Sequence, residues 1–187
     1  MPVLMTSFNS ISTERLLLSA PTRGDAKEIF EIYASDPEVT AYVGWSRHQS
    51  IDDTLAFIDF AMDEWSRNSI GPYLIREHRD GTLLGSTGLN CTDSGDAMTG
   101  YVLAKAHWGY GFATESVNAM IAVGRQLELS SLFALCHPEH DKSVRVLQKT
   151  GFQLDLTWSE TITFPNLTDG PSLVPLCYRL KVRQGER

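Results

Sequence analysis

The chain has 187 residues, 42% apolar, 21% charged and 10% aromatic, which sets it among folded globular proteins and apart from disordered, collagen-like and coiled-coil sequences. That length fits one domain, 1–187, whose core needs no metal or disulfide for stability. A net charge of −7 argues against a nucleic-acid backbone as the main partner.

Cys91, Cys136 and Cys177 are widely spaced and match neither a disulfide framework nor a zinc motif. The start lacks a basic segment followed by a long apolar run, and no stretch approaches the roughly 18 apolar residues that cross a bilayer. A cytoplasmic protein without a membrane partner is expected.

In chain order, 15–19 (RLLLS) reads as a buried strand, and 22–34 as a helix whose apolar positions Ala26, Ile29, Phe30 and Tyr33 follow i, i+3, i+4, i+7 until Pro37 interrupts. Ser50 with Asp53 three residues on opens a second helix to 66, with Ile51, Leu55, Ile58, Met62 and Trp65 on one stripe. Strands are predicted at 73–78 and 82–89 around the turn Arg79-Asp80-Gly81, and at 98–103. A helix at 112–127, a strand at 131–137, a short helix at 141–150 and closing strands at 152–163 and 176–182 complete a mixed α/β layer with mostly antiparallel pairing. Between the closing strands, 164–175 carries three prolines and reads as a loop.

Two stretches carry chemistry. In YVLAKAHWGYGFATES (101–116) an apolar strand meets Gly109 and Gly111 and then a helix directly. Such a turn is either a tight connection or a place where the backbone approaches a pyrophosphate that the helix N–H groups hold. A dinucleotide fold, and with it an oxidoreductase, fits poorly: Thr114 stands where the third glycine belongs, and Glu128 falls at a helix end. In HPEHDKSVRVLQKTGF (137–152), Lys142, Arg145 and Lys149 form one basic stripe, either a solvated face or a contact for phosphates.

Together these pieces, with TERLLLSAPTRGDAKEIFEIYA, LLGSTGL and TGYVLAKAHWGYG, resemble the GNAT superfamily of N-acetyltransferases over about residues 11–155. The resemblance is strongest to the ribosomal-protein-alanine N-acetyltransferase (RimJ/RimL-like) subgroup and its small-molecule-modifying relatives. It implies the GNAT fold, a mixed and mostly antiparallel central sheet flanked by helices. It also implies acetyl transfer from acetyl-coenzyme A, with no metal, to a primary amine on a protein N-terminus or small molecule, by a monomer or homodimer. By the same resemblance, Tyr101, Val102 and Leu103 pair with the pantetheine arm. Trp108, Gly109, Tyr110, Gly111, Phe112 and Ala113 hold the pyrophosphate, and Ser143 faces the coenzyme sulfur. His140 stands in the place of the family's usual Asn at a coenzyme contact and Ala106 replaces a usual Gln or Arg, while Arg145 of the basic stripe is expected to meet the coenzyme phosphates.

Amine attack needs a proton acceptor and a donor for the thiolate. Ser143 is expected to donate. Glu160 is nominated as acceptor, with an exposed strand carboxylate as its other reading; Glu115 is the second candidate, though the helix dipole already explains it, and His107 and His140 flank the site. Tyr42, Trp45, Trp65 and Trp158 either line an acceptor pocket or pack in the core. The competing function is a non-catalytic acyl-coenzyme A-binding module.

Overall fold

The runs of apolar residues that alternate between two faces assemble one large sheet in this computed structural model, which describes residues 4–68 and 70–183. Strands β1 (Leu4–Ser7), β2 (Ser10–Ser12), β3 (Leu16–Ser19), β4 (Tyr73–Glu77), β5 (Leu83–Cys91) and β6 (Ala97–Leu103) follow one another as antiparallel neighbours. Next comes β7 (Ser131–Cys136), parallel to β6, and then β11 (Leu176–Lys181) and the edge strand β8 (Gln153–Leu154). A separate small hairpin joins β9 (Ile162–Thr163) and β10 (Ser172–Leu173).

Alternation along β4 shows how the layers form: Tyr73 and Ile75 enter one core and Leu74 the opposite one. The first core holds α3 (Phe112–Gln126) and α4 (Asp141–Lys149) through Val117, Met120, Ile121 and Leu147. The second holds α1 (Ala26–Ile29) and α2 (Ile51–Asn68) through Ala26, Ile29 and Ile58. The mixed, mostly antiparallel sheet flanked by helices is the architecture expected from the sequence. A parallel pair needs a crossover, and α3 supplies it between β6 and β7.

Local chemistry accounts for the boundaries. Asp53 accepts the N–H groups of Gln49 (2.8 Å) and Ser50 (3.0 Å), while Ser50 Oγ accepts from Asp53 N (3.3 Å), so the predicted start of α2 is a capping box. The predicted apolar stripe of α2 needs correction, because Ile51 and Met62 are 42% and 47% exposed. Ile58 is buried as expected and Leu55 and Trp65 pack against the core, but Thr54 and Ala61 take up the rest of the buried face, since small residues let the helix settle against its neighbours.

The helix expected over 22–34 is not uniform. It runs as a 3₁₀ turn (Arg23–Asp25), α1 and a π turn (Phe30–Ala34), because Ser35 turns both its N–H (3.2 Å) and its hydroxyl (2.7 Å) onto the Phe30 carbonyl. The strand expected over 152–163 is broken into β8 and β9. Asp155 Oδ1 accepts from the N–H (3.0 Å) and hydroxyl (2.6 Å) of Thr157, an Asx turn that bends the chain away from the sheet. The expected loop at 164–175 contains β10, and the hairpin β1–β2 precedes the first predicted strand.

The feature that positions a site is the divergence of β6 and β7. They pair only at Ala97–Leu132 and Met98–Phe133, although both continue onward. Among the described residues no strand covers the β7-facing edge of β6 from Thr99 to Leu103. Two parallel strands that part at their C-terminal ends, each leading toward a helix N-terminus, leave a crevice where ligands bind in open α/β sheets.

Candidate active site

The crevice opens into a half-open cavity of about 750 Å³. Thr99, Gly100, Tyr101 and Val102 form one wall and Ala134, Leu135 and Cys136 the other, with His140 and Ser143 at the start of α4. At its base Tyr101 and Ser143 touch: the phenol oxygen lies 2.8 Å from Ser143 Oγ and donates to the Ser143 carbonyl at 3.2 Å. Burial pushes the Tyr101 phenol well above its usual range, so it stays a neutral donor or acceptor. The outer walls are aromatic, with Tyr42 and Trp45 from the loop after α1 and Phe57 and Phe60 from α2; Glu64 stands among them.

A second element lies where β6 runs into α3. Gly109 (φ +85°) and Gly111 (φ +84°) both adopt the left-handed conformation that favours glycine, and a Cβ on Gly109 would meet nothing within 4 Å. The loop between strand and helix is thus open to a ligand. Gly111 caps α3, so the amides of Phe112, Ala113 and Thr114 have no acceptor inside the helix. Trp108 is fixed by its ring N–H on the Leu103 carbonyl (2.7 Å), and Lys142 Nζ sits 4.1 Å above its ring, tying α4 to the turn.

Arg15 holds the turn from the sheet side. Its guanidinium donates to the Tyr110 carbonyl (2.9 Å) and to Glu115 Oε2 (2.7 Å) and lies 4.5 Å above the Phe112 ring. Glu115 also accepts from the Arg15 N–H (2.8 Å) and the Thr13 hydroxyl (2.6 Å). Burial by itself would raise this carboxyl; the hydrogen bonds and the guanidinium outweigh it and hold Glu115 below the usual carboxylate range.

Residues 15–153 match the acetyltransferase (GNAT) domain. The chain belongs to the GNAT acetyltransferase family. It is an acetyl-coenzyme A-dependent acyltransferase. Among its relatives, the uncharacterized N-acetyltransferase p20 of Bacillus licheniformis is 31% identical over 149 residues, 78% of this chain and 83% of p20. Of solved structures, the microcin C7 self-immunity acetyltransferase MccE in complex with acetyl-CoA and AMP superposes with a TM-score of 0.77 at 20% identity, over 90% of this chain and 93% of MccE. RimL, the ribosomal L7/L12 alpha-N-protein acetyltransferase in complex with coenzyme A, gives 0.75 at 16% identity, over 90% and 95% of the two chains.

In this GNAT acetyltransferase, Tyr101, Val102, His140 and Ser143 come together at the cavity, and Leu103 continues the same strand. Trp108, Gly109, Tyr110, Gly111, Phe112 and Ala113 lie together at the head of α3, with Tyr110 66% exposed and Phe112 packed into the core. Arg145 is exposed on α4. Glu160 is not brought to the cavity: it is exposed in the segment before β9, where its carbonyl accepts the Trp158 ring N–H (3.0 Å). Tyr42 and Trp45 line the cavity, whereas Trp158 packs on Phe133 (5.5 Å between centroids) and Trp65 on Tyr73 (4.9 Å). Among the described residues no group of three or more His, Cys, Asp or Glu could hold a metal ion, and no helix is long and apolar enough to span a membrane.

Sequence reasoning missed Arg15, the Tyr101 hydroxyl and Asn166. Asn166 joins two loops, donating to the carbonyls of Thr40 (2.8 Å) and Trp45 (2.8 Å) and accepting from Arg47 N (2.7 Å). An asparagine in a proline-rich stretch reads as turn chemistry, and nothing local marks this longer reach.

Proposed function

We propose that this GNAT acetyltransferase acts as a single domain over 1–187 and transfers the acetyl group to a primary amine, of a protein N-terminus or a small molecule, by direct attack of the amine on the thioester. One observation carries the reading: the uncovered edge of β6 and the aromatic cavity join where Tyr101 and Ser143 meet. When bound, acetyl-coenzyme A supplies the activated acetyl group; the rest is the work of the chain.

The backbone at Tyr101, Val102 and Leu103 pairs with the pantetheine amides and directs an N–H to the thioester carbonyl, where charge develops. The turn from Trp108 to Ala113 holds the pyrophosphate on the free amides of α3, with Gly109 and Gly111 clearing its approach. Arg145 meets the phosphates from α4, and His140 lines the coenzyme's reactive end. Ser143 donates a proton to the departing thiolate and Tyr101 holds that hydroxyl in place.

The amine enters through the aromatic walls. Both kinds of acceptor suit a half-open cavity, and relatives of this fold are named for a ribosomal protein in one case and for microcin self-immunity in another. The free thiols of Cys91, Cys136 and Cys177 suit a cytoplasmic setting. The test is a panel of peptide N-termini, amino acids, polyamines and amine-bearing antibiotics incubated with acetyl-coenzyme A and read by thiol release. At least one class should be acetylated. A protein that binds coenzyme A and acetylates none of them is a binding module, and the reading fails.

A further inference from the structure

An attacking amine must lose a proton, and the carboxylates named for that task are elsewhere. Glu160 is off the cavity wall, and Glu115 is locked to Thr13 and Arg15. His140 is on the wall. It begins α4 one turn ahead of Ser143, whose N–H donates to the His140 carbonyl (2.9 Å), so both side chains serve one end of the cavity. Its ring stacks on Tyr42, centroids 5.0 Å apart, and His137 stacks on the same phenol ring at 4.8 Å. His137 is buried, its Nδ1 accepts the Glu139 N–H (3.2 Å), and Phe164 packs edge-on against it at 4.7 Å. By contrast no hydrogen bond among the described residues engages either ring nitrogen of His140.

From this geometry we infer that His140 is the catalytic base of the acetyl transfer, taking the proton of the attacking amine. The inference rests on the acetyltransferase reading above. As the new N–C bond forms and the C–S bond breaks, an imidazole nitrogen receives the N–H proton and Ser143 Oγ delivers its proton to the thiolate. Solvent at the cavity mouth then takes the proton from the imidazolium and returns one to Ser143, so no further reactant is needed.

The surroundings keep the base ready. Burial, then Lys142 and His137, lower the His140 pKa below the ordinary imidazole value, against an opposing pull from Asp141; Tyr42 stacks on the ring, and the Cys136 thiol donates to the His140 carbonyl (3.8 Å). A base with that shift is neutral at physiological pH, and its contribution is lost as pH falls through its pKa.

His140→Asn and His140→Ala, assayed with an amine that wild type acetylates, test this. Each should fall roughly a hundredfold or more in kcat, the typical contribution of a positioned base. The wild-type to variant rate ratio should rise through the His140 pKa and then level, because the amine's own titration is common to both proteins and cancels. Added imidazole should restore part of the His140→Ala rate, and kcat at saturating acetyl-coenzyme A should fall by a far larger factor than coenzyme affinity does. A pH-independent ratio, a near-wild-type kcat, or a loss of rate that tracks loss of coenzyme binding would overturn the assignment and leave the acetyltransferase reading standing. Failure of wild type to acetylate any amine would instead overturn that reading and this inference with it.

Discussion

The bond between Tyr101 and Ser143 allows stability and catalysis to be separated by one substitution. Ser143→Ala removes the 2.8 Å partner of the phenol, yet Tyr101 still reaches the Ser143 carbonyl at 3.2 Å, so no buried donor is left alone. The loss in stability should therefore lie near the usual net value of one hydrogen bond, about 0.5–1.5 kcal/mol. The loss in rate should be larger. A hydroxyl that meets a thiolate stabilises charge that exists only along the reaction, so kcat should fall roughly tenfold to a thousandfold, about 1.4–4 kcal/mol, while acetyl-coenzyme A affinity changes little.

Tyr101→Phe supplies the control, because burial keeps the phenol neutral and its influence on the thiolate passes through Ser143. Thiol release at saturating amine should be measured for both single variants and the double variant. If the two residues act as a unit, the double variant should be no slower than Ser143→Ala alone. Wild-type turnover by Ser143→Ala refutes the donor assignment, and fully additive losses refute the claim that Tyr101 works through it.

Two further substitutions test the flanks of the site. Coenzyme A at about 100 times its dissociation constant adds roughly 2.7 kcal/mol, or roughly 5–10 °C in Tm for a chain of this size, and Gly111→Val should abolish that rise at a conformational cost of about 1–2 kcal/mol or more. Its Cβ would lie 3.5 Å from Arg15 Nη2, an ordinary contact, so a folded variant with an undiminished rise would remove the turn from the site. Asn166→Ala loses three hydrogen bonds of about 1 kcal/mol each, which frees the loop that carries Tyr42 and Trp45 and should raise the KM for the amine, at most roughly 150-fold, with coenzyme binding intact; an unchanged KM would make Asn166 a purely structural residue.

What the sequence could convey depended on whether the determining contacts were local. The capping box of Ser50 and Asp53 and the turn at Gly81 rest on residues within a few positions, and they formed as expected. Gly109 and Gly111 were legible for the same reason, since a left-handed turn between strand and helix writes its requirement into the glycines themselves. The face of α2 was right at Ile58 but misjudged at Ile51 and Met62, because periodicity counts large apolar residues, whereas Thr54 is buried through a 2.8 Å contact with His48 Nδ1 and Ala61 through close packing. The break at Asp155 depended on one side chain choosing a turn over the ladder. Asn166, bonded to Thr40 and Trp45 across more than a hundred residues of chain, was beyond any local signal.

The same distinction separates the two halves of the site. On the proposed function, the coenzyme half is drawn from two short stretches, β6 with its glycine turn and the start of α4, and its contacts would be chiefly backbone groups whose geometry survives changes of side chain. Ala106 and His140 can therefore depart from the family's usual residues without removing the turn or the open strand edge. The proposed acceptor half is the reverse: Tyr42, Trp45, Phe57, Phe60 and Ile162 come from three separate segments, and Asn166, from the turn between β9 and β10, ties the loop after α1 in place. Side chains, not backbone, set its shape. A coenzyme site of the first kind announces a reaction class from sequence, whereas an acceptor site of the second kind can be recut by single substitutions with the chemistry preserved. His140 sits on the boundary: it belongs by position to the coenzyme stretch, but its ring packs on Tyr42 from the acceptor loop, so the placement of the proposed base depends on both halves being assembled.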